Sequence, residues 1–385
     1  MHIFSLPRLI YYGLDSIDMI KELLTNMKWN RILVITDKTM RDLGALDRVL
    51  KVLNEFTVKV YDEVEPEPYF ETAEDASILA IEFKPNVIIA LGGGSVIDVA
   101  KAVWVKYERP DYDLHSISPF EWIGVGRKCQ LIAIPTTSGT GSDATLGIVL
   151  SEKVKVGKRK IALGSLEVVP YATILDPNFP KSMPRKLTVS TGVDALAHSI
   201  EALVSTEATD FTDALALKSI EIIFVHLPRV LEDPENLDSR TKIHLAATMA
   251  GIAFSNSGLG IAHAIAHAVG PVAKLPHGTM VGIVLPYAVK FNYEDESARL
   301  KYDILLRYLN SMIDVKAKDI IDALLNFYDI IGQAKNVREA GGDVEKVKAN
   351  IEKVVADTLQ DPDLAFNPRF CSEEDIKDII DELLE

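Results

Sequence analysis

Asp194, His198, His263, His267 and His277 are five metal-capable side chains between positions 194 and 277, in a chain with only eight histidines. Their spacing is informative. Asp194 and His198 are four apart, as are His263 and His267, and each pair lies in a stretch with helical character. Residues at i and i+4 share one helical face, with Cβ atoms roughly 5–6 Å apart. Two such faces turned toward each other, joined by one loop ligand, are able to enclose a divalent cation. A single histidine among these would read as a hydrogen-bonded core or surface residue; the set together points to a metal.

Two loops add a second chemistry. Gly92, Gly93, Gly94 and Ser95 follow the apolar run 87–91 directly, and a helix is expected to begin at Ser95. Glycine lets a ligand approach the backbone closely, and a helix N-terminus offers free N–H groups to a diphosphate. The spacing departs from Gly-x-Gly-x-x-Gly, because Ile97 stands where the third glycine would be. Asp98 and Lys101 lie three apart on the same helix, as a local ion pair or, for Asp98, as a cofactor contact. The second loop, 135–143, contains Thr136, Thr137 and Ser138 and is dense in hydroxyls that suit phosphate or ribose. Its simpler reading is a Ser/Thr-rich turn. Asp37, at the end of an early apolar run, is placed to accept from a ribose hydroxyl and to repel a 2′-phosphate, or else to cap a helix.

The elements that must hold these residues fall into two regions. Up to about position 180, short apolar runs (31–36, 57–61, 87–91, 131–134 and 172–175) alternate with helical patterns at 15–25, 41–54, 72–84 and 96–106. Strands without polar alternation, joined by helices, indicate a parallel sheet covered on both faces. Residues 1–180 are therefore expected to form an α/β dinucleotide-binding domain. Residues 181–385 show helical patterns at 186–204, 210–225, 239–255, 260–269, 294–309, 317–327 and 373–384, and are expected to form an all-helical, metal-binding catalytic domain. A ligand cleft is expected at the carboxyl ends of the parallel strands and the seam between domains.

Composition excludes several classes. A net charge of −15 with no basic cluster argues against nucleic acid. The N-terminus reads as lacking a signal peptide, and the least polar stretch, 245–269, contains Ser255, Asn256 and Ser257, so it reads as a buried helix and not a membrane span. Two cysteines are too few for a disulfide framework, so a cytoplasmic location is expected.

These residues resemble the iron-containing, or group III, alcohol dehydrogenase family. The resemblance rests on GGGSVIDVAK at 92–101, IPTTSGTGS at 134–142, TGVDALAH at 191–198, the glycine-bounded run 258–270, LPHG at 275–278 and NPR at 367–369. It spans nearly the whole chain in the right order. It implies metal ligands at Asp194, His198, His263 and His277, and it leaves His267 off the metal, near nicotinamide and substrate. Spacing alone had nominated His267 as a ligand. The resemblance further implies diphosphate contacts at Gly92, Gly93, Gly94 and Ser95, and hydroxyl contacts at Thr136, Thr137 and Ser138. A ribose contact falls on Lys160, with Lys158 as the alternative register, and NAD preference on Asp37. Asp143 departs from the glutamate common in the family.

The implied function is hydride transfer between NAD(H) and a small alcohol or aldehyde, with NADP(H) less favoured. Fe²⁺ or Zn²⁺ serves as Lewis acid, and His267 passes the hydroxyl proton outward. Phe254 and Leu259 suggest an apolar pocket for primary alcohols, diols or small aldehydes. A dehydroquinate synthase-like lyase would expect basic residues near the metal motifs, where few occur; a glycerol dehydrogenase-like zinc enzyme would typically show fewer histidines. The N-terminal segment 1–12, rich in β-formers, invites pairing with a second copy, so a homodimer or larger homo-oligomer is expected.

Overall fold

The computed structural model describes residues 3–153 and 158–385. Met1 and His2 of the N-terminal segment, residues 154–157 of the loop before Lys160, and the Lys158 side chain lie outside the described residues. The chain divides into two compact units, Met1–Ser182 and Met183–Glu385.

Among the described residues the first unit has eight strands: β1 (Leu9–Tyr12), β2 (Arg31–Ile35), β3 (Thr57–Tyr61), β4 (Val87–Gly92), β5 (Gln130–Pro135), β6 (Gly147–Lys153), β7 (Lys158–Gly164) and β8 (Ala172–Leu175). Six of them form one sheet in the order β1-β8-β5-β4-β2-β3, and every neighbouring pair is parallel. Successive side chains of a strand point to opposite faces, so the unbroken apolar runs supply two cores. Leu33, Ile35, Ile88, Ala90, Leu131 and Ala133 pack on one face, toward helices Phe70–Phe83 and Gly94–Glu108. Ile32, Val34, Val87, Ile89, Ile132 and Ile134 pack on the other, toward Met19–Asn26 and Ala45–Val52.

The strand order carries functional information. From β2 the chain moves outward to β3, then returns to the other side of β2 as β4 and continues through β5 to β8. The direction of winding thus reverses between β2 and β4. In open α/β sheets, ligands bind beyond the carboxyl ends of strands at such a reversal.

Two details differ from the sequence reading. Strands β6 and β7 form an antiparallel hairpin that was not expected. The N-terminal strand β1 pairs with β8 of its own sheet, Leu9 opposite Ala172 through Tyr12 opposite Leu175.

The second unit contains helices and no strand among the described residues. Five of its helices matter most below: Arg185–Val204, Asp210–Glu232, Leu237–Ser257, Ile261–Ala273 and His277–Asn292. The last of these was not expected from the sequence. No single helix is long and apolar enough to cross a membrane; Leu237–Ser257 and Ile261–Ala273 pass such a test only as a pair bent by 107°. Both are largely buried in this unit's core.

Candidate active site

Three helices bring the histidines to one carboxylate. Arg185–Val204 carries Asp194 and His198, Ile261–Ala273 carries His263 and His267, and His277 opens the helix His277–Asn292 directly after Pro276. The expected loop ligand is thus the first residue of a helix. The Asp194 Oδ1 atom lies 3.6 Å from His277 Nε2, 3.7 Å from His263 Nε2 and 3.9 Å from His198 Nε2. Donor atoms of Asp194, His263 and His277 form the tightest set, all within 4.8 Å of one another. His198 joins through the carboxylate, its ring stacked on that of His263 at 4.6 Å and on Phe254 at 4.4 Å.

Such separations are too long for hydrogen bonds and suit donors surrounding a cation. Asp194 Oδ1 and His263 Nε2 are buried and have no hydrogen-bond partner, a costly state unless something else meets them. Burial acts to raise the Asp194 pKa, but the imidazoles of His198, His263 and His277 outweigh it and hold the carboxyl well below its usual range. Burial likewise acts to lower the pKa of His263, yet the carboxylates of Glu201 and Asp194 push it up to about 10. The buried carboxylates of Asp194 and Glu201 gather negative charge here, which favours a cation. One carboxylate with three imidazoles suits Fe²⁺ or Zn²⁺.

Glu201 is a site residue that the sequence reading missed. Its carboxylate accepts from the backbone N–H of Ala262 at 2.7 Å and of His263 at 3.4 Å, and contacts His263 Nδ1 directly. It therefore caps the helix that carries His263 and fixes which ring nitrogen faces Asp194. Asn367 completes the cap by accepting from Ile261 N–H at 3.1 Å. Gly260 is the cap residue and has no side chain to offer. A Cβ there would stand 2.7 Å from Asn367 Oδ1 and 3.1 Å from Glu201 Oε1. A signal existed: Asp194, His198 and Glu201 stand at i, i+4 and i+7, one continuous face of a single helix.

The position of His277 depends on an equally close approach. A Cβ on Gly278 would collide with the carbonyl oxygen of Ser190, and one on Gly282 would stand 2.6 Å from Val193 Cγ1. Glycines allow the helix of His277 to lie against the helix of Asp194 at nearly backbone contact.

His267 takes no part in the tight set around Asp194. Its ring stacks on His277 at 5.1 Å, and its Nδ1 lies 2.9 Å from Asp361 Oδ2. Asp363 stands close by, its Oδ2 3.9 Å from the same nitrogen. Burial acts to raise the Asp361 pKa, but the bond to His267 lowers it overall; burial and the neighbouring Asp361 charge push Asp363 up to about 6. Neither aspartate was singled out from sequence. Leu259 is buried and Phe254 half-buried, Phe254 facing His198.

In the first unit, the strand reversal gathers the nucleotide candidates. Asp37 follows β2, Gly92 ends β4 and Gly93 to Ser95 follow it, and Thr136 to Ser138 follow β5, three adjacent strands. Gly93 caps the helix Gly94–Glu108, which begins one residue earlier than expected. The two loops are in contact: Thr136 N–H donates to Gly92 O at 3.0 Å, and a Cβ on Gly94 would approach Thr140 to 3.1 Å. Asp37 caps the short helix Lys38–Asp42, accepting from Met40 N–H at 2.9 Å. That use engages one carboxylate oxygen, Oδ1.

Asp98 is buried and accepts from the Ser142 hydroxyl and from Val149 N–H at 3.0 Å. Lys101, fully buried, donates to the carbonyls of Thr145 and Gly147, both at 2.8 Å. The two side chains thus bind the glycine-loop helix to the hydroxyl-rich loop and not chiefly each other. Burial lowers the Lys101 pKa to about 8, against the pull of Asp98 and Asp143. Lys160, on β7, is paired with Glu67 at 3.0 Å on the surface.

Comparison with known proteins gives the family. The iron-containing alcohol dehydrogenase family model matches residues 7–177, and that described as Fe-containing alcohol dehydrogenase family, C-terminal, matches residues 188–384. The chain is 36% identical to an alcohol dehydrogenase of Thermococcus barophilus, with 98% of each covered. It is 35% identical to an NADPH-dependent butanol dehydrogenase of Clostridium saccharobutylicum, covering 98% of this chain and 97% of the other. Among solved structures, an iron-containing alcohol dehydrogenase from Thermococcus thioreducens superposes with a TM-score of 0.88 at 32% identity, over 99% of both chains. A 1,3-propanediol oxidoreductase superposes with a TM-score of 0.91 at 27% identity, over 100% of both. With both halves matched and the acid–imidazole cluster in place, the chain belongs to the iron-containing alcohol dehydrogenase family.

Proposed function

We propose that the protein interconverts a small alcohol and its aldehyde with NAD(H), using a divalent cation, Fe²⁺ or Zn²⁺, held by Asp194, His198, His263 and His277. The observation that carries this reading is the convergence of three imidazole nitrogens on one buried carboxylate oxygen at 3.6–3.9 Å. When bound, the cation polarises the substrate oxygen and the nicotinamide exchanges the hydride. The chain supplies the rest. N–H groups of Gly93, Gly94 and Ser95 hold the cofactor diphosphate at the helix N-terminus, while Thr136, Thr137 and Ser138 offer hydroxyls beside it. Lys160 reaches toward the ribose if it leaves Glu67, and Asp98 holds the two loops in register.

His267 carries the proton. Asp361 accepts at Nδ1, which leaves Nε2 to exchange a proton with the substrate hydroxyl, directly or through a ribose hydroxyl. Phe254 and Leu259 line the apolar side, which favours primary alcohols, diols or small aldehydes over charged substrates. A lyase or glycerol dehydrogenase-like reading is not favoured by the family assignment.

Preference for NAD(H) rests on Asp37, which follows β2, the strand beside β4, and whose carboxylate would repel a 2′-phosphate. The NADPH-dependent relative shows that the family name does not fix this choice. We further infer a homodimer formed along the outer edge of β1, where Tyr12 is exposed, and a cytoplasmic location, in keeping with two buried free cysteines. Light scattering on the intact chain and on one lacking residues 1–12 checks the assembly: a monomeric intact chain, or a dimer that survives truncation, overturns it.

The reaction is tested with purified protein loaded with Fe²⁺ or Zn²⁺ and offered primary alcohols, diols and aldehydes with both cofactors. NADH formation that stops on chelation is the expected result. A metal-loaded protein that moves no hydride between any of these alcohols and either cofactor would sink the reading.

A further inference from the structure

His267, Asp361 and Asp363 come together from parts of the second unit 94 residues apart in sequence. His267 lies on the helix Ile261–Ala273, and the two aspartates stand at the start of the 3₁₀ turn Pro362–Phe366. Their donor atoms all fall within 4.8 Å of one another, a criterion also met by Asp194, His263 and His277. The individual separations are 2.9 Å from His267 Nδ1 to Asp361 Oδ2 and 3.9 Å to Asp363 Oδ2. Ligands at ordinary zinc bond lengths in a tetrahedral shell stand about 3.3 Å apart, and the two separations from His267 Nδ1 bracket that value.

One of the two aspartates is held in place. Asp361 Oδ1 accepts from Asp363 N–H at 2.9 Å, which anchors the carboxylate and leaves Oδ2 for His267. No hydrogen bond to the Asp363 carboxylate is formed among the described residues, and its nearest opposite partner is the imidazole of His267. Two carboxylates thus share one imidazole, an excess of negative charge around a borderline nitrogen donor. The aspartate side chains are mostly covered, whereas His267 is 38% exposed, which leaves a route for an ion to enter.

We propose that His267, Asp361 and Asp363 form a second divalent-cation site beside the Asp194 centre, and that an ion there inhibits the enzyme by occupying His267. Zn²⁺ and Mn²⁺ match one imidazole with two carboxylates. With three protein donors in place of four, the site binds more weakly than the first. The inhibitory half rests on the proposed role of His267 as proton carrier: an ion on Nδ1 replaces the proton that Asp361 accepts, and its charge opposes any further positive charge on the ring.

The test starts from protein holding one Zn²⁺ per chain and adds Zn²⁺, reading stoichiometry by calorimetry and elemental analysis alongside turnover. A second ion should bind at least tenfold more weakly than the first, and activity should fall as it binds. Asp363→Asn, and Asp361→Asn with Asp363→Asn, should lose the second ion and keep the first; His198→Ala should weaken the first and keep the second. One ion per chain in the intact protein, or a second ion that persists in the double variant, overturns the site and leaves the role of His267 standing. A second ion that binds through these residues without slowing turnover overturns the inhibition, and the proton-carrier role with it.

Discussion

The Glu201 carboxylate meets Nδ1 of His263 while its other oxygen accepts from the backbone N–H of Ala262 at 2.7 Å. One side chain therefore holds both the imidazole and the start of the helix that bears it. Partners that orient a metal-binding histidine typically contribute 10–100-fold in metal affinity. Glu201→Gln keeps the shape but removes the charge, so metal affinity should fall by about that factor. Chelator competition measures it; unchanged affinity would show that helix capping, and not ring orientation, is the role of Glu201.

Replacing His263 and His267 should separate two roles that spacing alone merges. His263→Ala takes a donor from the set around Asp194, so purified variant should contain little metal and show no turnover while its circular dichroism stays native. His267→Ala should retain most of its metal, lose turnover and alter the pH profile of what remains. Normal metal content in the first variant, or metal loss in the second, would favour His267 as the ligand in its place.

Asp37→Gly should raise the use of NADP(H) relative to NAD(H), because it removes the charge expected to oppose a 2′-phosphate. Asp37 also caps Lys38–Asp42, and glycine at a helix N-cap costs only a few tenths of a kcal/mol. The cofactor ratio should therefore change by more than tenfold with little change in melting temperature. A native preference for NADPH would remove Asp37 from this role.

Lys101 predicts a pH dependence of stability. Its pKa falls from 10.5 to about 8 on burial, so between those values the unfolded chain binds more protons than the folded one. Stability should rise with pH across that window, and the full penalty for the buried charge should be present below it. The shift corresponds to about 3 kcal/mol. Denaturant unfolding of wild type and Lys101→Met from pH 7.5 to 10.5 should show the wild type gaining on the variant by roughly this amount; parallel curves would refute it.

The sequence exposed most of the chemistry because the decisive residues are locally patterned. Asp194 and His198 share a turn, and each glycine or hydroxyl loop follows an unbroken apolar run that could only be a buried parallel strand. Asp361 and Asp363 were illegible for the opposite reason: Asp361 meets His267 from 94 residues away, in a 3₁₀ turn without periodicity. The helix His277–Asn292 was hidden by Gly278, Gly282 and Pro286, which argue against a helix by propensity. Packing reverses that argument, since a larger residue at Gly278 or Gly282 would collide with the neighbouring helix. The hairpin β6–β7 was missed because its two apolar runs, 148–150 and 161–163, are only three residues each and are separated by a charged stretch, 151–160.

The contact between Gly278 and Ser190 has a consequence for how the chain can change over time. His277 adjoins one partner of this contact and Asp194 lies one helical turn beyond the other, so the two ligands are registered by a single backbone-to-backbone seam. The segment between them carries His198, Glu201 and His263 and so is itself tied to the same cluster, yet one methyl group added at position 278, on a residue that binds nothing, would displace the pair.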